Sequence, residues 1–525
     1  MVSNFTGPDG LSLTVDCSTT AAKAVVFDLN GNTVALARRP LGLDRPRAGW
    51  HEQDARHWWA ATRDALTDAI AQLDDPSQIA ALCLTHQRES FVCLGEDDEP
   101  LRPAILWLDS RADVEIARYG SAAVQALSGK PADITPSIYK LAWLRSHEPT
   151  VLSHANRIGD VSAYLTWQLT GRWATSSASA DTLGLFDLRA NRWSSELLDI
   201  AGVRQEQLPK LVPPGDIVGN IKDGLARSLG LSRPTPVIAG IGDGQAAGLG
   251  ADVTGPGVAY LNLGTALVMG VQSREYRWDP AFRTMASAIP GQYTLETFLS
   301  SGTYLTTWYR QQFGNPELGG SPDPDLEAAA AAIQPGADGL LTVPYWNSAQ
   351  TPHWDPDAKG IMVGWHGNHT RAHAYRSILE GIALELRLHL HGLEAATGER
   401  IATLRAMGGG TRSQLWIQII ADVTGRPLQI CAEEEISALG AGVLVQAATR
   451  GGKANSLHEV AARSARYSGT VMPDTRVAPA YDAYFALYQR LFGQLRDVFP
   501  ELTAARQLSE SLQLDMRTDP DHYRP

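Results

Sequence analysis

The chain is long, acidic and of ordinary composition. It has 525 residues, of which 44% are hydrophobic and 19% are charged, and its formal net charge is -12. A chain of this length is too long to fold around a single hydrophobic core, so we expect two large domains. The acidic balance argues against a nucleic-acid partner and against an anionic membrane surface, because both attract clustered Lys and Arg. A phosphorylated nucleotide is compatible with it, since backbone N–H groups and Mg²⁺ can hold phosphates.

The cysteines and the first residues favour a soluble, cytoplasmic protein. None of Cys17, Cys83, Cys93 and Cys431 stands in a C-x-x-C pair, so we expect reduced thiols rather than a zinc site. Residues 1–10 lack the apolar core of a signal peptide. No run of the chain approaches the roughly 20 apolar residues of a membrane-spanning helix.

The first half begins with a predicted hairpin and continues as alternating strands and helices. Residues 11–28 read as an apolar strand, a turn of small hydroxyl residues and a second apolar strand. A helix is expected at 57–73, strands at 80–85 and 90–94, and a helix at 161–169 that Gly171 ends. A strand at 234–240 then leads into a glycine-rich stretch. This alternation favours an α/β fold with parallel or mixed sheets.

The second half begins with a similar hairpin. Residues 257–271 repeat the outline strand, turn, strand, about half a chain length after the first hairpin, which predicts a duplicated architecture. Two unrelated hairpins are the alternative. A surface loop is expected at 315–325. Helices are expected at 371–396, 413–423 and 436–449. We predict an N-terminal domain at 1–253, a C-terminal domain at 254–515 and a polar tail at 516–525.

An aspartate at the end of a predicted strand is the candidate catalytic base. Asp243 lies in the sequence G-I-G-D-G-Q at 240–245. Glycines allow a ligand to come close, and the turn exposes the carboxylate at the end of the sheet. Such a carboxylate could accept a proton from a substrate hydroxyl as its oxygen attacks phosphorus. An Asx turn that only caps the next helix is the alternative.

The same segment also fits a loose dinucleotide-binding pattern. Gly242, Gly244 and Ala247 match G-x-G-x-x-G/A after a strand. That pattern needs an acidic residue about 20 positions later to bind a ribose hydroxyl, and residues 259–266 contain none. An NAD-dependent oxidoreductase is therefore a weaker alternative.

Three further clusters could bind ligands. Gln87, Arg88 and Glu89 follow an apolar strand, and a donor fork beside a carboxylate suits a vicinal diol, although a surface salt bridge is the alternative. Trp107 and Asp109 offer an aromatic face beside a carboxylate, which suits a sugar, unless the tryptophan is simply core. The three glycines at 408–410, just before a predicted helix, would let backbone approach a flat or anionic ligand; a flexible linker is the alternative.

Taken in order, these motifs resemble the FGGY carbohydrate kinase family, which includes glycerol kinase, xylulokinase and gluconokinase. The likeness extends from about residue 11 to residue 491. It rests on DCST at 16–19, QRES at 87–90, KLAWL at 140–144, GD at 242–243, LGT at 263–265, a xylulokinase-like segment at 344–360 and GGGTRS at 408–413. The resemblance implies two actin-like (ribonuclease-H-like) domains, with ATP, Mg²⁺ and a sugar in the interdomain cleft.

The resemblance also implies roles for individual residues. Asp243 is the expected catalytic base, and Asp16 is expected to help hold Mg²⁺ through water. The expected substrate-binding residues are Gln87, Arg88, Glu89, Trp107, Asp109, Asp243 and Gln245. The expected ATP-binding residues are Ser18, Thr19, Thr20, Gly264, Thr265, Gly409, Gly410 and Ser413.

Several positions depart from the family pattern. Ser18 stands where a glycine is usual in the first phosphate loop. Gly244 follows Asp243 where glycerol kinase has a polar side chain, and Thr135 stands near the place of its pocket tyrosine, so we expect a wider pocket. The Q-R-E sequence at 87–89 replaces the Gln-Met-His of xylulokinase.

The prediction is in-line transfer of the ATP γ-phosphoryl group to a terminal hydroxyl of a small carbohydrate, most simply a pentulose such as xylulose or ribulose. Kinases for glycerol, a tetritol or a pentitol are alternatives. An actin-like ATPase without a sugar substrate and an inactive, sugar-binding regulator are alternatives of other classes. The sequence leaves open which sugar and which carbon react, and whether the chain forms a homodimer.

Overall fold

The computed structural model of the protein describes residues 10–318, 323–450 and 454–518. Within these ranges, no helix combines the length and apolar character that crossing a bilayer requires. The strands of the first half are β1 (Leu11–Cys17), β2 (Ala21–Phe27), β3 (Thr33–Pro40), β4 (Glu52–Gln53), β5 (Ile79–His86), β6 (Phe91–Leu94), β7 (Ala104–Ile105), β8 (Arg157–Asp160), β9 (Ala174–Ser176), β10 (Phe186–Asp187), β11 (Arg192–Trp193), β12 (Lys210–Val212), β13 (Ile217–Asn220) and β14 (Pro236–Gly242). The strands of the second half are β15 (Val258–Leu263), β16 (Leu267–Ser273), β17 (Arg283–Ala286), β18 (Tyr293–Leu299), β19 (Leu341–Val343), β20 (Ile361–Val363), β21 (Thr403–Met407), β22 (Leu428–Cys431) and β23 (Tyr467–Val471).

Helices surround these sheets in both halves. Those of the first half are α1 (Ala55–Ile70), α2 (Asp113–Tyr119), α3 (Ala122–Ser128), α4 (Ser137–His147), α5 (Pro149–His154), α6 (Val161–Thr170), α7 (Ser177–Ala180), α8 (Ser195–Ala201), α9 (Asp223–Ser228) and α10 (Asp243–Gly250). Those of the second half are α11 (Thr303–Phe313), α12 (Pro324–Ala331), α13 (Arg371–Thr397), α14 (Gln414–Thr424), α15 (Ile436–Thr449), α16 (Ala454–Ser464), α17 (Ala478–Leu495) and α18 (Val498–Thr518).

The two main sheets repeat one strand order, which confirms the predicted duplication. The first sheet runs β3-β2-β1-β5-β14-β13 and the second runs β17-β18-β16-β15-β21-β22-β23. In each, a hairpin (β1–β2 or β15–β16) has a further antiparallel strand on one side and two parallel strands on the other. The two hairpins therefore occupy equivalent places in the two halves.

The register of the parallel strands brings the predicted motifs to common edges. In the first sheet, Cys17 of β1 and Gly242 of β14 both pair with His86 of β5. The segments that follow these three residues leave the sheet side by side. In the second sheet, Asn262 of β15 pairs with Met407 of β21, so the turn at 264–265 and the glycines at 408–410 also meet. The carboxyl ends of parallel strands are where α/β proteins place their ligands.

A helix from the second half packs against the first sheet. Side chains of α15 join the same hydrophobic core as Ala81 and Cys83 of β5. Helix α15 also crosses α10 at close range, because a β-carbon at Gly440 would overlap the carbonyl oxygen of Ala246. The Ser437 hydroxyl donates to the backbone oxygen of Asp243 at 3.1 Å. The helix that begins with Asp243 is thus held by the second half of the chain.

Most predicted elements are confirmed, with ends shifted by a few residues. Gly171 has a φ of 72° and caps α6, as expected. The predicted loop at 315–325 is wrong at its end, since Asp323 caps α12 by accepting from the Leu326 N–H. Residues 319–322 lie outside the described residues. Helix α18 continues through Thr518, past the predicted start of the tail, and residues 519–525 lie outside the described part of the chain.

The cysteines are free thiols, as the sequence analysis expected. Cys17, Cys83 and Cys93 are buried and Cys431 is half-buried, and none forms a disulfide. Burial raises the pKa of the Cys83 and Cys93 thiols to about 12. These side chains therefore serve as core groups rather than as thiolate nucleophiles.

The close crossing of α10 and α15 predicts that a larger side chain at Gly440 lowers the stability of the protein. Gly440→Ala should destabilise the protein by about 1–3 kcal/mol, because the added methyl group meets backbone rather than a mobile side chain. Gly493→Ala is the matched control. It is also inside a helix, has open space around its α-carbon, and should gain about 0.5–1 kcal/mol from helix propensity. Denaturant unfolding of both variants measures the difference; equal effects would contradict the close crossing.

Candidate active site

Asp243 combines an anchored carboxylate with exposure to solvent. It is the first residue of α10, and its side chain is 40% exposed. Its Oδ1 atom accepts hydrogen bonds from Arg88 Nε and from the Gly244 N–H, both at 2.8 Å. Among the described residues, no donor is bonded to Oδ2. The residue does not cap its helix, whose N-cap is Gly242 without a side-chain hydrogen bond, so one oxygen stays open for a proton.

A buried chain of charges extends from Asp243 into the second half. Arg88 Nη2 lies 3.1 Å from Glu296 Oε1, and Arg283 Nη2 lies 2.6 Å from the same oxygen. Arg283 also donates to both carboxylate oxygens of Glu89, at 3.1 and 3.2 Å. The order is therefore Asp243, Arg88, Glu296, Arg283, Glu89. The alternative of a surface salt bridge is wrong, since Arg88 and Glu89 are both buried and have other ion-pair partners.

Glu296 is the fully buried centre of this chain. The Tyr260 hydroxyl donates to it at 2.6 Å, in addition to the two guanidinium groups. Burial by itself would raise the pKa of Glu296, but Arg88 and Arg283 outweigh it and lower the pKa to about 2. The two guanidinium groups therefore favour the charged form of this carboxylate. It was not expected from the sequence, where it is a single acid in the apolar strand YTLETFL.

The charge chain explains the glycine after the candidate base. A β-carbon at Gly244 would lie 2.6 Å from Glu296 Oε2 and 2.7 Å from Arg88 Nη2. The absent side chain of residue 244 therefore leaves no extra room, because these two groups fill it. The same crowding argues against dinucleotide binding at residues 242–247, because the Glu296 carboxylate lies where a pyrophosphate would approach Gly244.

Hydrogen bonds connect the first hairpin turn to two predicted sugar contacts. The Thr19 hydroxyl donates to Gln87 Oε1 and accepts from Trp107 Nε1, each at 3.0 Å. Trp107 is half-buried and lies in a turn after β7, not on the longer strand that the apolar run suggested. Thr19, predicted for ATP, thus also fixes the predicted sugar side of the site.

The turn itself closes without a glycine. The Ser18 N–H and the Ser18 hydroxyl both donate to the carbonyl of Ala21, at 2.9 Å. Ser18 does not have a positive φ, so the departure from the usual glycine costs no backbone strain. Thr20 is exposed at the tip.

Lys140 is a site residue whose role the sequence analysis missed. Its ammonium group is buried and donates to the carbonyls of Leu106, Trp107, Ile134 and Thr135, at 2.8 to 3.3 Å. Burial lowers its pKa to about 8. One side chain therefore joins the segment of Trp107 to that of Thr135. A lysine at the start of the apolar KLAWL motif is the available signal.

Two predicted substrate contacts are bonded to the protein. The Asp109 carboxylate accepts from the His51 N–H at 2.6 Å and from Arg111 Nε and Nη2 at 2.8 and 2.7 Å. Gln245 donates to the carbonyl of Ala178 at 2.9 Å, and its buried Oε1 has no partner among the described residues. Asp109 thus supports the wall behind Trp107. A sugar contact by either residue stays a prediction.

Asp16 is a buried carboxylate with an unused oxygen. Its Oδ1 atom has no hydrogen-bond partner among the described residues. Burial raises its pKa to about 7; Lys23 opposes this, and Asp243 and Glu435 add to it. Lys23 lies 2.5 Å from Glu435 at the start of α15. Lys23 was missed by the sequence analysis, although it is the charged residue within the apolar strand AAKAVVF.

The surroundings of Asp16 fit one bound Mg²⁺ only together with phosphates. No group of three or more His, Cys, Asp or Glu side chains in the described ranges could hold a metal ion. Mg²⁺ at nucleotide sites takes one or two carboxylates and completes its shell with phosphate oxygens and water. Asp16, with an unpaired oxygen close to Asp243, suits that donor set.

The predicted nucleotide residues of the second half surround two turns. Thr265 is exposed and Gly264 half-buried, and their carbonyls accept from N–H groups at the start of α11. Gly409 has open space beside its α-carbon, whereas Gly410 packs on Leu263 and Trp416. The Ser413 hydroxyl caps α14 and donates to Glu327 at 2.9 Å. Exposed backbone is thus available at 264–265 and 409.

Comparison with known proteins agrees with this geometry. The model of the FGGY family of carbohydrate kinases, N-terminal domain, matches residues 11–250, and that of the C-terminal domain matches residues 259–449. The chain belongs to the FGGY family of carbohydrate kinases. It is therefore a carbohydrate kinase with two actin-like, ribonuclease-H-like domains and a cleft between them, as the resemblance implied.

Individual relatives cover most of the chain. A glycerol kinase of Bordetella parapertussis is 33% identical over 82% of this chain and 87% of its own length. A xylulose kinase of Lactococcus lactis is 26% identical over 93% of this chain and 98% of its own. The crystal structure of a xylulose kinase from Rhodospirillum rubrum superposes with a TM-score of 0.86 at 29% identity, covering 93% of this chain and 99% of that one.

The raised pKa of Asp16 predicts a pH-dependent stability. Between about pH 4 and pH 7, folded Asp16 holds a proton that the unfolded chain has released, so its contribution to stability falls as the pH rises. The Asp16→Asn variant should not lose stability in this way, because an amide does not release a proton in this pH range. In EDTA without nucleotide, the melting temperature of this variant should match that of the wild type near pH 4 and exceed it at pH 8. The corresponding difference in the free energy of unfolding is about a few kcal/mol. Exposed Asp74→Asn is the control, and a difference independent of pH would contradict the burial of a charge.

Proposed function

We propose that the protein transfers the γ-phosphoryl group of ATP to a terminal primary hydroxyl of a pentulose such as xylulose or ribulose. The observation that carries this proposal is the open Oδ2 of Asp243, held at the end of β14 beside the first hairpin turn. Xylulose kinases among the relatives, matched over almost their whole length, support the substrate class. Kinases for glycerol, a tetritol or a pentitol are the alternatives, since glycerol kinases also match.

In the proposed reaction, Asp243 Oδ2 accepts the proton of the sugar hydroxyl. The hydroxyl oxygen forms the new bond to the γ-phosphorus as the bond to the ADP oxygen breaks. Arg88 holds Oδ1 and so fixes the direction in which Oδ2 faces. A positioned base of this kind contributes roughly 10²–10⁴ in rate. The exposed turns at Thr20 and Thr265 offer N–H and hydroxyl groups to the phosphates, and closure of the cleft excludes water.

Asp16 is the residue proposed to hold Mg²⁺, through its unpaired oxygen. When bound there, Mg²⁺ would neutralise charge on the phosphates of ATP. Lys23 adds a second positive charge on the same side of the site. We also propose a cytoplasmic location, which the four unpaired cysteines support.

The charge balance of the pocket favours a neutral sugar over a sugar acid. Arg88 is bonded to Asp243 and Glu296, and Arg283 is bonded to Glu296 and Glu89. A substrate carboxylate would have to displace one of these buried partners, which leaves a charge unpaired at a cost of about 3–5 kcal/mol. A ketose or polyol only has to add hydroxyl hydrogen bonds.

The choice of substrate is testable with a coupled ADP assay. The panel should include glycerol, tetritols, pentitols, pentuloses, hexuloses and gluconate. We expect the highest kcat/KM with a pentulose and the lowest with gluconate. Preference for gluconate would contradict the charge argument. ATP turnover that no sugar stimulates would favour the ATPase alternative instead.

The role of Asp243 makes a separate prediction. Asp243→Asn should lower kcat by about 10²-fold or more and leave the dissociation constants of ATP and the sugar within a few-fold of wild type, because the amide cannot take the proton. Half-buried Asp252→Asn, which removes an ion pair with Arg405 on the turn after α10, is the control for an Asp-to-Asn change near this helix. Near-native turnover of the Asp243 variant would contradict the base assignment.

A further inference from the structure

The charge chain that runs from Asp243 to Glu89 has a proposed functional residue at each end. Asp243 is the proposed base and Glu89 is a proposed acceptor for sugar hydroxyls. Both come from the first half of the chain, as does Arg88. Glu296 and Arg283, which link Arg88 to Glu89, come from neighbouring strands of the second half. Those two are direct cross-strand partners on β18 and β17.

Arg283 is the one residue that bonds both carboxylates. Its Nε and Nη2 atoms donate to Glu296 Oε1 at 2.8 and 2.6 Å, and its Nη1 atom donates to Glu89 at 3.1 and 3.2 Å. Its side chain is 5% exposed, and those of Glu296 and Glu89 are 0% and 4% exposed. Within the described residues, Arg283 is the only cation paired with Glu89.

Glu89 needs such a partner to keep its position. Its φ is +62°, a strained value for a residue with a β-carbon, and its carbonyl is held by the Ser137 hydroxyl at 2.9 Å. The negative charge of Glu89 also acts on nearby Asp133 and helps burial to raise the pKa of that carboxyl. Arg88, Lys130 and Lys140 also attract Glu89, but none of them forms an ion pair with it, so without Arg283 no direct ion pair would fix its carboxylate.

We infer that Arg283, on the second domain, is a positioning residue for sugar binding: it holds the Glu89 carboxylate in the orientation that accepts the sugar hydroxyls. It does not contact the reacting phosphorus. The sugar site is then complete only when β17 of the second half lies against the segment of Glu89. This inference rests on the proposed sugar kinase function and adds a positioning residue that the first domain does not supply.

The experiment compares Arg283→Met with the wild type at saturating ATP and at saturating sugar. We expect the KM for the best sugar of the panel to rise about tenfold or more, and the KM for ATP to change by less than about twofold, because ATP meets other turns. Arg283→Lys should recover part of the loss, since a lysine can pair with Glu89 or Glu296 but cannot bond both as a fork.

Arg376→Met is the matched control. Arg376 is equally buried on α13, where it pairs with Glu380 at 2.8 Å and donates to the carbonyl of Ala330. Its loss should lower the melting temperature and leave the sugar KM unchanged. A general loss of packing in the second domain would instead raise both KM values in both variants.

The double variant with Glu89→Gln keeps the test decisive if Arg283→Met folds poorly. Removing both charges of the pair avoids an unpaired buried carboxylate. If Arg283 acts through Glu89, the sugar KM of Glu89→Gln/Arg283→Met should equal that of Glu89→Gln alone. Effects that multiply would overturn the inference, as would an unchanged sugar KM in folded Arg283→Met. If the wild type phosphorylates no sugar, the proposed function fails instead.

Discussion

The fully buried carboxylate of Glu296 ties the two halves of this kinase together at the point where chemistry is proposed. It accepts hydrogen bonds from Arg88 of the first half and from Arg283 and Tyr260 of the second. Loss of either guanidinium would remove one of the two charge partners of this buried carboxylate, which is destabilising. Gly244 has no side chain because these groups already fill the space beside it. The site is therefore built around an ion network.

Exposure separates the roles within this network. Arg88, Glu89, Arg283 and Glu296 are buried, whereas the Asp243 side chain is 40% exposed. Buried members fix geometry, and the exposed member can meet a ligand. The crossing of α10 with α15 also helps to fix the geometry of the site, since the second half contacts the backbone of the helix that begins at Asp243. A change in the relative position of the domains would separate Asp243 and Glu89, the proposed base and the proposed sugar contact, from the residues of the second half that hold them.

Local patterns were sufficient to predict the motifs on the first sheet. An apolar strand that ends in a polar triplet indicated 87–89, and a strand that runs into glycines indicated 243. Their meeting follows from the register of three parallel strands, in which Cys17, His86 and Gly242 are aligned. That register depends on hydrogen bonds between segments far apart in the chain, which single-sequence periodicity does not encode. For the same reason the sequence analysis did not predict that Arg88 and Glu89 have ion-pair partners in the second half.

The sequence by itself determined the family, the duplicated hairpins, the candidate base and the turns proposed to bind phosphates, because each lies in a short contiguous segment. Tertiary structure alone decided which charges pair. Arg283 and Glu296 are isolated residues in two apolar strands, and Lys140 opens an apolar helix motif, so the local pattern shows a charge at each position but not its partners. Their roles arise from burial: a charge removed from water must find partners wherever the fold brings them, and those partners lie up to 208 residues away in the chain.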